Sequence, residues 1–271
     1  MTAQDGDAIL ATVVGGRTVR EHLDAAIASG TILYDAARDR YRLPASNTRN
    51  PFLVRRGIDP GEDGRDCAFL IRFLFHGAYG GTTVPRGCRA CYKVKVYSRT
   101  MRQMMAVRAL SEALPQSTKS GLELNSPARR YATYVYARGL DQAREIHKTI
   151  RAGIDADASL GPDIEIVIKR GCSEYEVRCG RSDGYTFDPK LEAVEDYLHA
   201  RFELGGSESN PTVRLLQIAR AAHRIGDETY TGFVGGELPA NTAPPPRFRP
   251  RPQTLTYSPD ADGDGDGAGH E

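Results

Sequence analysis

The fold is decided by residues 93–114, which have the sequence KVKVYSRTMRQMMAVRALSEAL. The first five residues alternate between polar and apolar, which is the period of a strand with one buried face. In the remainder, apolar residues recur every three or four positions, and Thr100 with Gln103 has the form of a helix-capping pair. The stretch therefore predicts a strand that leads into a helix ending near Leu114.

The same strand-helix pattern occurs a second time. A strand candidate at residues 121–124 follows the first helix, and residues 132–136 (ATYVY) form the next alternating strand. Asp141 can cap a second helix, and residues 164–169 form a returning strand. Two successive β-α-β units predict an α+β fold, either a ferredoxin-like sandwich or two fused halves of one.

The N-terminal residues predict a helix followed by a hairpin. Thr18 and Glu21 match a capping box, and residues 31–34 and 40–43 are short strand candidates. A helix before a Tyr- and Arg-rich hairpin resembles the second half of a winged-helix module, and that resemblance implies DNA binding. The alternative is a small helix-hairpin unit that packs on the main body.

Composition and pattern divide the chain into four regions. Further amphipathic helices are predicted at residues 190–203 and 211–224. The predicted regions are a helix-hairpin module at 1–45, a linker or surface loop at 46–66, an α+β body at 67–235 and a disordered Pro/Arg then Asp/Gly tail at 236–271.

The tail contains one formal motif match. Residues 260–271 fit the letters of a calcium-binding loop. Such a loop needs flanking helices to hold its ligands, and a Pro-rich coil precedes this one. Specific calcium binding is therefore not expected, whereas the Pro-Arg segment is a candidate for docking on a protein partner.

The overall composition excludes several classes of protein. The formal net charge is only +1, which argues against a uniformly basic nucleic-acid binder. No apolar run approaches the roughly 20 residues of a membrane span. The five cysteines follow an acidic, polar N-terminus rather than a secretory signal, so we expect reduced thiols, a cytoplasmic location and no membrane partner.

The cysteines are candidates for a metal site. Cys88 and Cys91 form a CxxC on a Gly-flanked turn just before a strand, and Cys172 lies just past the end of another strand. One sheet end could bring them together around zinc, or around an iron–sulfur cluster as the alternative. In the other interpretation Cys67 belongs to the core and the rest are ordinary thiols. The predicted ligands are Cys67, Cys88, Cys91, Cys172 and Cys179.

A basic stretch follows Asp66. No acidic residue occurs between Asp66 and Glu112, whereas eight Lys and Arg residues do. Tyrosines are interleaved with these cations, which suits phosphate backbones and unstacked bases. Alternatively, acidic residues from elsewhere in the chain balance this face. The predicted anion-binding residues are Arg86, Arg89, Lys93, Lys95, Arg99 and Arg102.

Polar and thiol side chains follow the strand at 164–169. Cys172 could act as a nucleophile, with His147 or His76 as its base and Glu174 as the orienting group. The plainer interpretation of residues 174–178 is a polar hairpin with cross-strand ion pairs.

Together these features predict an accessory binding protein. It would hold an anionic partner, with nucleic acid as the first choice, on a basic surface beside a Cys-ligated metal. The alternative is an enzyme that acts on a phosphorylated substrate at the strand end around Cys172 and Glu174.

Overall fold

The computed structural model describes residues 3–44, 52–56, 70–79, 81–125, 130–203, 210–239, 243–249 and 256–257. The protein is mixed α/β and consists of two compact units, each built from separate stretches of chain. The first contains the described parts of Met1–Ala90 and Gly171–Gln217. The second contains those of Cys91–Arg170, Ile218–Pro250 and Leu255–Glu271.

Strands and helices are numbered along the chain. The described strands are β1 (Val13–Val14), β2 (Arg17–Thr18), β3 (Leu33–Asp35), β4 (Arg40–Arg42), β5 (Leu53–Arg56), β6 (Cys91–Ser98), β7 (Thr118–Leu122), β8 (Tyr131–Arg138), β9 (Ile166–Arg170), β10 (Phe202–Glu203) and β11 (Thr256–Tyr257). The described α-helices are α1 (Ala3–Leu10), α2 (Val19–Ala28), α3 (Arg86–Arg89), α4 (Met101–Glu112), α5 (Leu140–Ala156), α6 (Ser173–Cys179), α7 (Glu192–Arg201), α8 (Pro211–Arg224) and α9 (Thr231–Val234). A π-helix spans Leu70–Ala78, and 3₁₀-helices span Ser182–Gly184, Pro189–Leu191 and Glu228–Tyr230.

The second unit is organised around an antiparallel sheet. Its strands lie in the order β11-β9-β6-β8-β7. Helix α4 connects β6 to β7, and α5 connects β8 to β9. The predicted cap of α4 is confirmed, because the Thr100 hydroxyl accepts a hydrogen bond from the Gln103 amide. Helix α5 has Gly139 as its N-cap instead of Asp141, which lies in its first turn.

Helices α4 and α5 both pack on one face of this sheet. The apolar residues of β6 point to that face, where they join Val107 of α4 and Ile146 and Ile150 of α5 in one buried cluster. Val94 and Val96 are fully buried there. The alternation of residues 93–97 therefore has the consequence expected from its period, one apolar face against the helices.

A buried carboxylate fixes the start of α4. Asp227 accepts hydrogen bonds from the Met101 amide (2.6 Å) and the Tyr131 hydroxyl (2.6 Å) through one oxygen. Its other oxygen accepts from the amide and hydroxyl of Thr229. One side chain thus ties the segment after α8 to the first turn of α4 and to the start of β8.

The first unit begins with the helix-hairpin elements. Helix α2 has the predicted capping box, with reciprocal hydrogen bonds between Thr18 and Glu21. Strands β3 and β4 form an antiparallel hairpin, and β10 pairs with β4 in parallel. The sequence predicted the helix and the hairpin, whereas β10 comes from a stretch assigned wholly to a helix (residues 190–203).

The core of the first unit forms around the π-helix. Phe75 packs edge-on against Tyr175 of α6, with ring centroids 4.4 Å apart. The Arg178 guanidinium donates to the carbonyl oxygens of Phe75, within the π-helix, and of Tyr79, just after it. The Tyr79 hydroxyl in turn donates to the buried Glu195 carboxylate at 2.6 Å.

The four predicted regions stay predictions, because the two units are a different kind of division of the chain. The stretch 67–235 is divided between the units after Ala90, after Arg170 and after Gln217, since the chain returns to the first unit once β9 is complete and leaves it again within α8. Most of the stretch 46–66 lies outside the described residues, but β5 falls within it.

Part of the predicted disordered tail contacts the second unit. The Arg249 amide donates to the Leu124 carbonyl at 2.6 Å, and Arg224 donates to the Pro244 carbonyl at 3.0 Å. Strand β11 pairs with β9. The calcium-loop letters at 260–271 lie outside the described residues.

Candidate functional site

Lysine and tyrosine side chains occupy the sheet face of the second unit that lies opposite α4 and α5. They follow from the alternation of β6 and β8, because every second residue points away from the helices. The register places Lys93 opposite Tyr136 and Lys95 opposite Tyr134. We define the Lys–Tyr face as Lys93, Lys95, Tyr97, Lys119, Tyr134, Tyr136 and Lys169.

The lysines of this face lie over its aromatic rings. The Lys95 ammonium is 4.5 Å from the Tyr97 ring centroid and 5.1 Å from that of Tyr134. Lys119 lies 4.4 Å from the Tyr134 centroid on the neighbouring strand. These distances are those of cation–π contacts, so the rings and the positive charges form one connected layer.

One carboxylate is bound within the layer. An oxygen of Glu123 accepts hydrogen bonds from the Lys95 ammonium and the Tyr134 hydroxyl, both at 2.6 Å. The other oxygen accepts from the Asn125 amide at 2.9 Å. Burial alone would raise the pKa of Glu123, but the Lys95 charge and these hydrogen bonds outweigh it and lower the pKa. Glu123 is therefore an anion at neutral pH.

The tyrosine of this network remains protonated. Burial first, and then the neighbouring Glu123 carboxylate, raise the pKa of Tyr134 well above its ordinary value. The phenol thus acts as a hydrogen-bond donor at any physiological pH. Lys95 and Tyr134 together form a pair of donors that hold one negative group.

Three of the four lysines of the Lys–Tyr face are nearly buried in this structure, whereas Lys119 and the two tyrosines of β8 are half-buried. Lys93 and Lys95 are each 7% exposed, Lys169 is 6% exposed and Glu123 is 2% exposed. Lysine is almost never buried to this extent unless its charge has a partner. A face with this composition is therefore suited to contact with negatively charged groups.

The remaining predicted anion-binding residues have other surroundings. Arg86 lies in the first unit and forms ion pairs with Glu192 and Asp196 of α7. Arg99 pairs with Asp163 at 3.2 Å. The carboxylates come from distant parts of the sequence, which is why the acid-free stretch gave no sign of them. Arg89 and Arg102 are exposed, in the first and second unit respectively.

The thiols are distributed over both units. Cys88, Cys172 and Cys179 belong to the first unit and pack in or against its apolar cluster, whereas Cys91 begins β6 of the second. The Cys88 sulfur lies 3.1 Å from the Tyr175 hydroxyl. Burial raises the pKa of Cys179, whose thiol donates to the Gly81 carbonyl.

Cys67, the remaining predicted ligand, lies outside the described residues. Among the residues that the structure does describe, no group of three or more His, Cys, Asp or Glu side chains could hold a metal ion. The zinc site and the iron–sulfur alternative stay predictions.

The candidate catalytic residues lie on a helix instead of a hairpin. Residues 173–179 form α6, with Cys172 as the half-buried N-cap residue and Glu174 in the first turn. Of the two candidate bases, His76 is exposed and belongs to the first unit with Cys172, while His147 belongs to the second. The hairpin predicted for 174–178 is wrong, because these residues form a short helix whose Tyr175 side chain is buried in the core.

A cavity of about 230 Å³ lies elsewhere in the second unit, where β6 ends and α4 begins. The Arg99 amide donates to the Gln103 side chain, whose own amide donates to the Leu160 carbonyl. These two hydrogen bonds thus occupy the side-chain amide of Gln103. The cavity is lined by Tyr97, Ser98, Arg99, Gln103, Asp163, Ile164 and Glu165.

The charges on α2 disfavour a role in reading DNA. Arg20 pairs with Asp7 at 2.8 Å, and Glu21 and Asp24 are exposed on the helix. These carboxylates would repel the phosphates that flank a groove. The resemblance to a winged-helix module therefore gains no support from the surface of this helix.

The sequence predicted three of the seven residues of the Lys–Tyr face and missed its anion. Lys93, Lys95 and Tyr97 follow from the alternation of β6, and the same rule applied to 132–136 gives Tyr134 and Tyr136. No sequence signal identifies Glu123 as the partner of Lys95, because the two residues meet only through strand pairing.

No protein-family model, curated protein or solved structure matches this chain. Across the described residues, none of the helices has the length and apolar character needed to cross a membrane.

Proposed function

We propose that this protein binds a single-stranded nucleic acid through the Lys–Tyr face of its second unit. The observation that carries the proposal is the layer of lysine ammonium groups over tyrosine rings on the adjacent strands β6 and β8. The proposal keeps the predicted nucleic-acid partner and takes Lys93 and Lys95 as its centre.

The chemistry of the face favours a single strand over a duplex. Tyrosine rings stack on bases whose faces are free, and lysines neutralise the adjacent phosphates. Bases inside a duplex are already stacked on one another and cannot reach a flat sheet. Hydrogen bonding by Tyr134 and Lys95 to Glu123 supports the capacity of the same groups to hold a phosphate oxygen.

The topology supports this choice of face. We propose that the second unit is a ferredoxin-like sandwich, because the order β9-β6-β8-β7 and the connections through α4 and α5 are those of two interleaved β-α-β units. In such a sandwich the helices cover one face of the sheet and leave the other for a ligand. Four-stranded sheets of other proteins stack RNA bases in this way.

Burial of the face has a kinetic consequence. Because Lys93, Lys95 and Lys169 are nearly inaccessible, the face must be uncovered before a strand can bind. We expect the observed association rate to level off as nucleic acid is added, since opening becomes limiting.

Salt dependence tests the proposal. Binding of the full chain to a fluorescent single-stranded 12-mer is measured by anisotropy over a range of salt concentrations. We expect the affinity to fall with salt, and Lys93→Gln to weaken binding and to reduce the slope of log K against log salt by about 0.7. Lys148→Gln is the matched control, because Lys148 is exposed on α5 and pairs with Glu145. Salt-independent binding, or an equal loss in both variants, would rule out this face.

The enzyme alternative is separable from this function. A protein that acts at Cys172 and Glu174 should lose turnover in Cys172→Ala. Under the present proposal Cys172→Ala leaves nucleic-acid binding unchanged, because Cys172 belongs to the first unit.

A zinc site on the cysteines is a separate proposal, supported by the spacing of Cys88 and Cys91. Elemental analysis of anaerobically purified protein tests it. One equivalent of zinc supports the zinc site, and iron with sulfide supports the cluster. If the protein contains neither zinc nor iron, the metal is removed from the proposal.

A further inference from the structure

We propose that Glu123 occupies, within the free protein, the position that a phosphate of the bound strand takes. This inference rests on the function proposed above, since it names the group that the ligand must displace. Glu123 would thereby reduce the affinity of the Lys–Tyr face until a partner replaces it.

The donors around the Glu123 carboxylate are of the kinds that bind phosphate. Glu123 receives the Lys95 ammonium, the Tyr134 hydroxyl and the Asn125 amide at 2.6, 2.6 and 2.9 Å. A phosphate oxygen accepts from the same three kinds of donor, an ammonium, a hydroxyl and a backbone amide. The structure thus contains a formed anion site, filled by a side chain of the same protein.

The donors Lys95 and Tyr134 lie at a different place in the sheet from Glu123. Lys95 and Tyr134 are opposite each other in the middle of β6 and β8, where both strands are paired. Glu123 lies just beyond the last residue of β7, with its amide bonded to the Arg130 carbonyl at 2.8 Å. Lys95 and Tyr134 are therefore held by the sheet, whereas the carboxylate is on a side chain at a strand end and leaves these two donors by rotation about its own bonds.

The anion site at Glu123 shares an aromatic neighbour, Tyr134, with the rest of the Lys–Tyr face. Lys119 lies over the ring of Tyr134 while the hydroxyl of that ring donates to Glu123. A phosphate bound at Tyr134 Oη therefore places its nucleotide beside a tyrosine and two lysines. An internal competitor at this position lowers the apparent affinity by the fraction of molecules in which it is bound.

The test compares three variants for binding to a labelled single-stranded uridine 12-mer. Glu123→Gln removes the charge with little change of shape, and we expect about tenfold tighter binding. Glu123→Asp keeps the charge but shortens the side chain by one methylene, so it cannot reach both donors equally well; we expect a smaller increase. Glu112→Gln is the control for net charge, because Glu112 pairs with Arg108 on α4, and we expect less than a twofold change.

The outcomes separate this inference from the proposed function. If the wild-type protein does not bind the 12-mer, the proposed function fails. If it binds and loses affinity in Lys93→Gln, but Glu123→Gln and Glu112→Gln bind equally, only the inference fails. Should Glu123→Gln not fold, Glu123→Asp decides the question, and wild-type affinity in that folded variant overturns the inference.

Discussion

The two faces of the sheet in the second unit each contain nearly inaccessible side chains but are stabilised differently. On the helix face, Val94, Val135 and Ile168 are fully buried among other apolar side chains. On the Lys–Tyr face, Lys93 and Lys95 are almost as inaccessible, yet both are charged residues. Apolar burial requires only the exclusion of water, whereas a buried charge requires a specific partner. Substitutions on the two faces should therefore change the free energy of unfolding for different reasons.

The largest expected effect is on the ion pair of the Lys–Tyr face. Lys95→Met leaves the Glu123 carboxylate buried without its ammonium, and we expect a loss of about 4 kcal/mol in the free energy of unfolding. The double variant Lys95→Met with Glu123→Gln removes both charges and should recover most of that loss. Urea denaturation of the wild type, both single variants and the double variant measures the coupling.

Additive losses would contradict this view of the Lys–Tyr face. If the double variant is destabilised by the sum of the two single changes, Lys95 and Glu123 do not depend on each other. The contact at 2.6 Å would then contribute no specific stabilisation.

A smaller effect is expected on the helix face. Ile168→Ala removes a fully buried side chain that lies opposite Val94 in the neighbouring strand, and we expect a loss of about 3 kcal/mol from lost burial and an unfilled cavity. Ile168→Val is the conservative control, with about 1 kcal/mol expected. The same denaturation experiment measures both, and a loss in Ile168→Ala no larger than in Ile168→Val would show that the helix face is loosely packed.

The same contrast decides how much the sequence could predict. The helix face was predictable, because apolar residues recur every two residues in a strand and about every 3.6 residues in a helix. Both patterns can be recognised within a short stretch of sequence. The strand of 93–97, the cap at Thr100 and the helix of 211–224 all follow from such local patterns.

The partner of each charge was not predictable. Glu123 meets Lys95, Asp163 meets Arg99, and both pairs form only after the strands have found their register. In the sequence, a basic stretch without acidic residues therefore suggests one positive surface. Folding, however, pairs several of its cations with carboxylates from elsewhere in the chain. The hairpin prediction for residues 174–178 failed for a related reason, since five residues are too few to separate a strand period from a helical one.

The smallest expected effect concerns the edge of the helix face. Strand β11 pairs with β9 through Thr256 and Tyr257, and the Tyr257 ring packs edge-on against Tyr92 with centroids 5.4 Å apart. Tyr257→Ala removes that aromatic contact, and we expect a loss of about 1 kcal/mol. Tyr257→Phe is the matched control, because it keeps the ring and loses only the hydroxyl.

Hydrogen exchange at the β9 amides, together with urea denaturation, measures this contribution. A loss in Tyr257→Ala that exceeds the loss in Tyr257→Phe means that the apolar face extends to the C-terminal segment and that burial, not composition, decides whether this segment is ordered. Equal stability of the two variants means instead that β11 lies on the sheet without stabilising it. The predicted disorder of residues 236–271 would then describe the energetics of the tail, and the helix face would end at β9.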